Sequence, residues 1–407
     1  MSTNETFPNF IFCSVVSLTS VLSYYFCNRF VSNNYQLFKA AGLQGKDYGR
    51  PEAPPIAEAV GVVGSAVYLC VLSINIMVPY LICIYFLGIN IYEHISLVAI
   101  LAGSWSICSM CLLGFTDDVL NLRWKHKLVL PVISSFPLIV VYCIQKASTY
   151  VLIPFPFKYL LGTSVDLGVF YLVYVCCLAL FCTNSINILA GINGLEVGQS
   201  IIIAISMIIM SLVELYLGNK DAIIILFFLI PFTAVSLSLL KFNWFPASIF
   251  VGDTYCYYSG MTLAVSGILG HSSRTLLLFF IPQILNFVYS TPQLFKLFPC
   301  PRHRLPSLNP ETNLREVSTF VVRVNTLNIA TCVILGLMAR FGFAKITRKG
   351  LHTTHSAEVD NLTLLNFYLR LYGPFSEAEL AKMILKFQIL CCLVGLFAKY
   401  TLGKLIF

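Results

Sequence analysis

Residues 222–240 read AIIILFFLIPFTAVSLSLL, a run without one charged side chain, bounded by Asp221 and Lys241. A helix needs about 20 mainly apolar residues to cross a bilayer. Pro231 interrupts the run, but membrane helices tolerate such breaks where neighbours re-satisfy the freed backbone groups. Comparable runs lie at 8–28, 60–87, 94–115, 128–146, 166–187, 197–218, 255–272, 275–297 and 380–402. The sequence therefore predicts an all-α polytopic membrane protein with about ten transmembrane helices.

Composition agrees. Of 407 residues, 58% are hydrophobic and 11% charged, against about 25% charged in soluble proteins. Mean hydropathy is +0.83. A soluble enzyme, a disordered chain and a secreted disulfide scaffold are excluded. A transmembrane β-barrel would show short alternating segments instead of long apolar runs. The 15 cysteines lie mostly within apolar runs, where cysteine acts as a small hydrophobe. Cys108-Ser109-Met110-Cys111 has no second Cys or His pair beside it, so helix packing is the better reading than zinc. The stretch Phe10–Phe26 has no basic flank before it and reads as a retained span.

Ten spans put both termini on one side. The short loops opposite them carry Arg29, Lys39, Lys46, Arg50, Arg123, Lys125, Lys127 and Lys241. The loops on the terminal side carry Lys146, Lys158, Lys220 and Arg274. The positive-inside rule makes the first set cytoplasmic and the termini lumenal. Residues 1–297 form the expected membrane core and 380–407 the last helix. The more polar 298–379 reads as a small mixed α/β insertion on the cytoplasmic side, with a strand-like run at Val317–Val324. Its apolar piece Leu327–Met338 is too short to span. Two sequons, Asn4-Glu5-Thr6 and Asn361-Leu362-Thr363, fall on opposite sides in this topology.

The chemistry gathers in four clusters. Gly114-Phe115-Thr116-Asp117-Asp118-Val119-Leu120-Asn121 ends one span and leads to Lys127. Adjacent carboxylates raise each other's pKa unless a cation or base relieves them. Asn184-Ser185-Ile186-Asn187, followed by Gly191-Ile192-Asn193-Gly194, ends another span. It reads either as a capped helix end or as amides awaiting a cation and phosphate oxygens. Phe250-Val251-Gly252-Asp253-Thr254 opens a third span, where Asp253 is either an N-cap or a metal ligand beside a phosphate-attracting helix terminus. Cys300-Pro301-Arg302-His303-Arg304-Leu305-Pro306 presents guanidinium groups to phosphate or to anionic lipid. All four fall on one predicted face. They offer oxygen ligands and cations but no thiolate and no serine–histidine pair. Oxygen ligands suit Mg²⁺ or Mn²⁺, and the set reads as phosphoryl transfer at a membrane surface. Two other classes stay open: a nucleotide-sugar or ion-coupled carrier, whose polar groups would sit nearer the bilayer midplane, and a glycosyltransferase that moves the sugar without its phosphate.

Asp117-Asp118-x-x-Asn121, Asn184/Asn187/Asn193-Gly194, Gly252-Asp253-Thr254 and Pro301-Arg302-His303-Arg304 occur in this order in the polyprenyl-phosphate N-acetylhexosamine-1-phosphate transferases, which the chain resembles. The strings FCTNSINILAGINGLEVGQS and PCPRHRLP resemble the eukaryotic branch, from about Gly45 onward and most weakly over 310–375. Ala190, where bacterial relatives often have Asp, argues against a peptidoglycan-precursor substrate. The resemblance implies transfer of GlcNAc-1-phosphate from UDP-GlcNAc to dolichyl phosphate, with release of UMP. It implies a cytoplasmic active site in the endoplasmic reticulum membrane, a block by tunicamycin, and a homodimer. The implied partners are UDP-GlcNAc, dolichyl phosphate and membrane lipid, with no nucleic acid. By residue, it implies Asn187 and Asp253 on Mg²⁺ (or Mn²⁺), and Lys127 on the phosphates. Asn121, Arg302, His303 and Arg304 would hold the sugar phosphate. Tyr48, Glu58, Asn193 and Phe250 would hold the nucleotide. Asp117 or Asp118 would orient the acceptor, take its last proton or, in a rival covalent route, attack.

Overall fold

The computed structural model describes residues 3–88, 96–145, 149–153, 159, 162–301, 304–323, 327–349 and 356–402. Among them, eight helices are long and apolar enough to cross a membrane. They are α1 (Thr3–Ala40), α2 (Gly61–Leu81, continued by a π-turn to Leu87), α3 (Leu97–Leu120), the broken pair α4 (Trp124–Ser134) and α5 (Phe136–Ile144), α6 (Val169–Ile188), α7 (Leu195–Tyr216), α8 (Ile223–Asn243) and the last, α14 (Glu377–Phe397). A ninth is the pair α10 (Ser273–Phe279) and α11 (Ile281–Leu294), bent by 68° at Phe280. The span expected at 275–297 is thus a kinked one, with Pro282 at the start of its second half.

The span expected at 255–272 is α9 (Gly252–Leu269). Its serines, threonines and tyrosines keep it below the apolar criterion, yet every residue from Thr254 to Leu269 is buried. It is the central helix, packed against α3, α6 and α8. Two of its hydroxyls turn back onto the helix: Thr262 donates to the Tyr258 carbonyl and Ser266 to the Thr262 carbonyl, each at 2.7 Å. At Gly114 of α3, an added Cβ would lie 2.5 Å from Thr254 Cα. That absent side chain lets α3 close on α9 beside the site.

Short antiparallel pieces join the helices. Strands β1 (Gln44–Gly45) and β2 (Ile56–Ala57) pair after α1. Strands β3 (Tyr150–Leu152) and β4 (Ser164–Asp166) pair before α6. The insertion before α14 is mixed, as expected. It holds β5 (Ser307–Leu308) paired with β6 (Arg315–Glu316), then a sheet of order β7-β9-β8 from Thr319–Arg323, Ser356–Asp360 and Ile346–Lys349. Helix α12 (Ile329–Arg340) covers the sheet, and α13 (Leu364–Tyr372) leads back to α14.

Three buried glutamines knit the bent pair into the core. Gln388 of α14 donates to the Phe279 carbonyl at the bend (2.7 Å). Gln283 of α11 donates to Gln388 Oε1 (2.8 Å) and Gln199 Oε1 (2.7 Å). Gln199 of α7 in turn donates to the Leu189 (2.8 Å) and Ile186 (3.2 Å) carbonyls. The chain of amides therefore runs from the kink to the turn that carries Asn187.

Candidate active site

Asp117 and Asp118 occupy the last turn of α3, and Lys127 lies in the first turn of α4. Asn121 is the C-cap of α3, with φ 51° and its N–H on the Asp117 carbonyl (2.8 Å). Asp117 is 3% exposed. Its carboxylate accepts from Tyr257 Oη (2.9 Å) and the Leu122 N–H (3.0 Å), and pairs with Lys127 Nζ (2.8 Å). Lys127 Nζ reaches Asp253 as well, at 3.2 Å. Asn187, at the end of α6, donates from Nδ2 to Asp253 Oδ1 (2.8 Å).

Asp118 does something else. One oxygen accepts the Asp253 N–H (2.7 Å), the other the Thr254 N–H (3.0 Å) and hydroxyl (2.5 Å). It is an N-cap delivered from another helix, satisfying donors that a helix start leaves unpaired. Gly252 makes room for it. Its φ is +72°, and an added Cβ would meet Asp118 Oδ2 at 2.5 Å. Both aspartates bond to protein groups, and the residues that line the cavity include neither.

The cavity is about 930 Å³. Its lining includes the polar Lys127, Asn187, Asp253 and Arg304 and the apolar Leu180, Phe181, Phe287 and Leu294. Tyr48, Glu58, Asn121, Asn193 and Phe250 also line it. Phe250 is hung from the β2 segment: its N–H donates to the Ala57 carbonyl (2.7 Å) and its carbonyl accepts from Val60 (3.1 Å). Gly45 lies between Glu58 and the Phe250 ring, each 3.1 Å from where a Cβ would stand. Burial and the Asp253 charge raise the Glu58 pKa above the usual carboxylate range. Arg304 has a buried Nη1 with no partner among the described residues, and burial lowers its pKa. Its carbonyl is held by Asn366 Nδ2 (3.0 Å). Arg302 and His303 lie outside the described residues.

Sequence reasoning missed a second layer. Asn193 donates its N–H to Glu377 Oε1 (2.9 Å) and its amide to Asp47 Oδ2 (3.3 Å). Arg315, 2% exposed, pairs with Glu377 Oε2 at 2.5 Å and donates to the Pro306 carbonyl. Asp47 also accepts from Gly49 N–H (2.8 Å) and Arg50 Nε (3.0 Å). Asn243 clasps the Gly194 N–H and the Ile249 carbonyl, tying the Asn193 turn to the segment that carries Phe250. The only local signals were the Gly45-Lys46-Asp47-Tyr48-Gly49-Arg50 turn and the Ser376-x-x-Glu379 capping box. Nothing local marks the pairing of Arg315 with Glu377.

Among the described residues no three His, Cys, Asp or Glu side chains converge on a metal position. Asp253 and Asn187 nevertheless fit Mg²⁺. It favours oxygen donors and is commonly held by one or two carboxylates with substrate phosphates and water.

A bundle of apolar helices around a cavity lined by acids, amides and cations suits a membrane-embedded protein acting on an anionic substrate. Residues 97–271 match the glycosyl transferase family 4 model. The chain is 41% identical to the UDP-N-acetylglucosamine–dolichyl-phosphate N-acetylglucosaminephosphotransferase of Saccharomyces cerevisiae, over 91% of this chain and 87% of that one. Proteins of the same name from Dictyostelium discoideum and Schizosaccharomyces pombe are 43% and 37% identical, over 89% and 95% of this chain and 83% and 92% of theirs. The chain belongs to this family of dolichyl-phosphate N-acetylglucosaminephosphotransferases.

Proposed function

We propose that the chain transfers N-acetylglucosamine-1-phosphate from UDP-GlcNAc to dolichyl phosphate and releases UMP. The observation that carries this reading is the mixed lining of the cavity, which joins Lys127, Asn187 and Asp253 to Leu180, Phe181, Phe287 and Leu294. A diphosphate needs the first group and a polyprenyl chain the second.

An oxygen of the acceptor phosphate attacks the β-phosphorus of the donor. The bond from that phosphorus to the bridging oxygen breaks, and UMP leaves with the electron pair. The acceptor's second pKa is about 6, so it arrives at pH 7 largely as a dianion and needs no strong base. Asp117 and Asp118 then work through others: Asp117 holds Lys127, and Asp118 holds the Asp253 helix. Asp253 and Asn187 would hold Mg²⁺, with Mn²⁺ as a substitute, and the cation supplies charge neutralisation on the diphosphate. Lys127 and Arg304 bind phosphate oxygens, and the buried, unpartnered Nη1 of Arg304 supports its share. Arg302 and His303 join them by resemblance. Phe250 stacks on uracil; Asn193, Glu58 and Tyr48 complete the nucleotide pocket.

The charge bias of the loops supports a cytoplasmic site with lumenal termini. Placement in the endoplasmic reticulum, a homodimer and inhibition by tunicamycin follow from the resemblance. The test uses purified protein, dolichyl phosphate, Mg²⁺ and UDP-GlcNAc labelled in both the β-phosphate and the sugar. Both labels in the lipid with UMP released is the expected result. Sugar label alone with UDP released would mean a glycosyltransferase. Donor uptake by vesicles without lipid labelling would mean a carrier.

A further inference from the structure

Helix α12 has two apolar faces. Thr331 and Leu335 point inward, with Ile334 and Met338 packed on a core of Phe298, Phe320, Val322 and Val359. The opposite face carries Ile329, Val333 and Leu337, with Phe341 just beyond the helix end. They are 84%, 55%, 49% and 69% exposed. Spaced four apart, they form one line. No charged residue occurs from Ile329 to Ala339. An apolar line of this kind marks a contact surface.

Three observations say what covers it. First, α12 sits beside a membrane helix. Tyr289 of α11 packs on the same core as α12 and donates its hydroxyl to the Phe343 carbonyl, just past the end of α12. Tyr289 lies five residues before the end of α11, about 7.5 Å along the axis. The neighbouring Leu285 and Val288 are exposed on that bundle surface, where acyl chains must lie. Second, α12 has 12 residues, about 18 Å of helix, against roughly 30 Å of hydrocarbon. It cannot cross, so it lies along the boundary. Third, exposed Arg340 and Lys345 follow the apolar line, and Lys296 stands between exposed Phe295 and Leu297 at the end of α11. Cations at the edge of an apolar face match anionic headgroups.

We propose that α12 is an interfacial membrane helix. Its Ile329–Val333–Leu337–Phe341 line is buried in the acyl chains of the leaflet that adjoins the cavity. The 298–379 insertion is then a surface-anchored part of the protein, not a domain free of the bilayer. Arg304, tied to the insertion through Asn366, is held at the level of lipid headgroups.

The test is depth quenching in the full-length protein in nanodiscs containing phosphatidylserine. Tryptophan is placed at Val333 (V333W) or, as a second variant, Leu337 (L337W). The signal of Trp105, Trp124 and Trp244 is subtracted using the parent protein. The expected result is that acyl-brominated lipid quenches the added fluorescence at least twofold while aqueous iodide leaves it unchanged. Quenching by iodide and not by bromolipid would overturn the proposal and put the face in water. Quenching by neither, with crosslinking between copies through residue 333, would overturn it in favour of a second copy of this chain.

Discussion

Asp118 caps the helix that begins with Asp253. Its two oxygens accept two of the backbone N–H groups in the first turn of α9, from Asp253 at 2.7 Å and Thr254 at 3.0 Å. The helix start is thereby satisfied without Asp253, whose own carboxylate stays turned to Lys127 and Asn187. Asp118 thus builds the site, and Asp253 lines it.

Asp253→Ala is expected to abolish transfer in the dual-label assay while the protein still folds, because the cap does not depend on that carboxylate. Asp118→Ala is expected to cost roughly 1–3 kcal/mol of stability by orphaning buried donors, read as a lower midpoint of thermal unfolding. Equal unfolding midpoints for the two variants would contradict the division.

Asp117→Asn keeps the shape but removes the charge that holds Lys127. The expected loss is about 10- to 100-fold in kcat, on the order of 1.4–2.8 kcal/mol, with added formate or azide giving no recovery. A near-wild-type rate would remove Lys127 positioning from the mechanism. A trapped phosphoryl-enzyme, lost in this variant, would restore the covalent route.

Glu58 is raised above the ordinary carboxylate range by burial and by Asp253. Its ionised form therefore disappears at a higher pH than that of a free glutamate. If the carboxylate accepts from the donor nucleotide, donor affinity falls early as pH drops toward that raised value. Glu58→Gln should weaken binding at neutral pH and flatten the acid limb of a Kd-versus-pH titration with UDP. An unchanged acid limb would place the titrating group elsewhere.

Gln283→Leu leaves the Oε1 atoms of Gln199 and Gln388 without their donor in the core. Each unpaired buried acceptor costs about 1–3 kcal/mol. Beyond lower stability, the Mg²⁺ concentration for half-maximal activity should rise, since Gln199 holds the carbonyls on either side of Asn187. A stability loss with an unchanged Mg²⁺ requirement would limit the network to packing.

The helices could be read from the sequence because burial in a bilayer demands long apolar runs, and α8 or α6 satisfies that demand residue by residue. The bend at Phe280 could not, since proline marks where a helix starts again but not the angle it takes. Among site residues, Lys127, Asn187 and Asp253 showed themselves as costly polar groups at span ends, and the structure brings them together. The same logic failed to separate Asp117 from Asp118, because adjacent positions on a helix face directions that only the partner helix defines. Arg315 and Glu377 stayed hidden because their pairing spans 62 residues. The sequon Asn361 is likewise 2% exposed and bonded to Ser318, which no tripeptide reveals.

The contact of Glu377 with both Arg315 and the Asn193 N–H also sets an order of events during synthesis. Asp47, Asn193 and Arg315 leave the ribosome long before residue 377. Until the start of α14 arrives, the Asn193 N–H lacks its acceptor and Arg315 lacks its carboxylate partner. The pocket around Asn193 is therefore completed only once residue 377 has been made. A nascent chain that stalls before that point carries the four motifs of the site but lacks the carboxylate that joins Asn193 to Arg315.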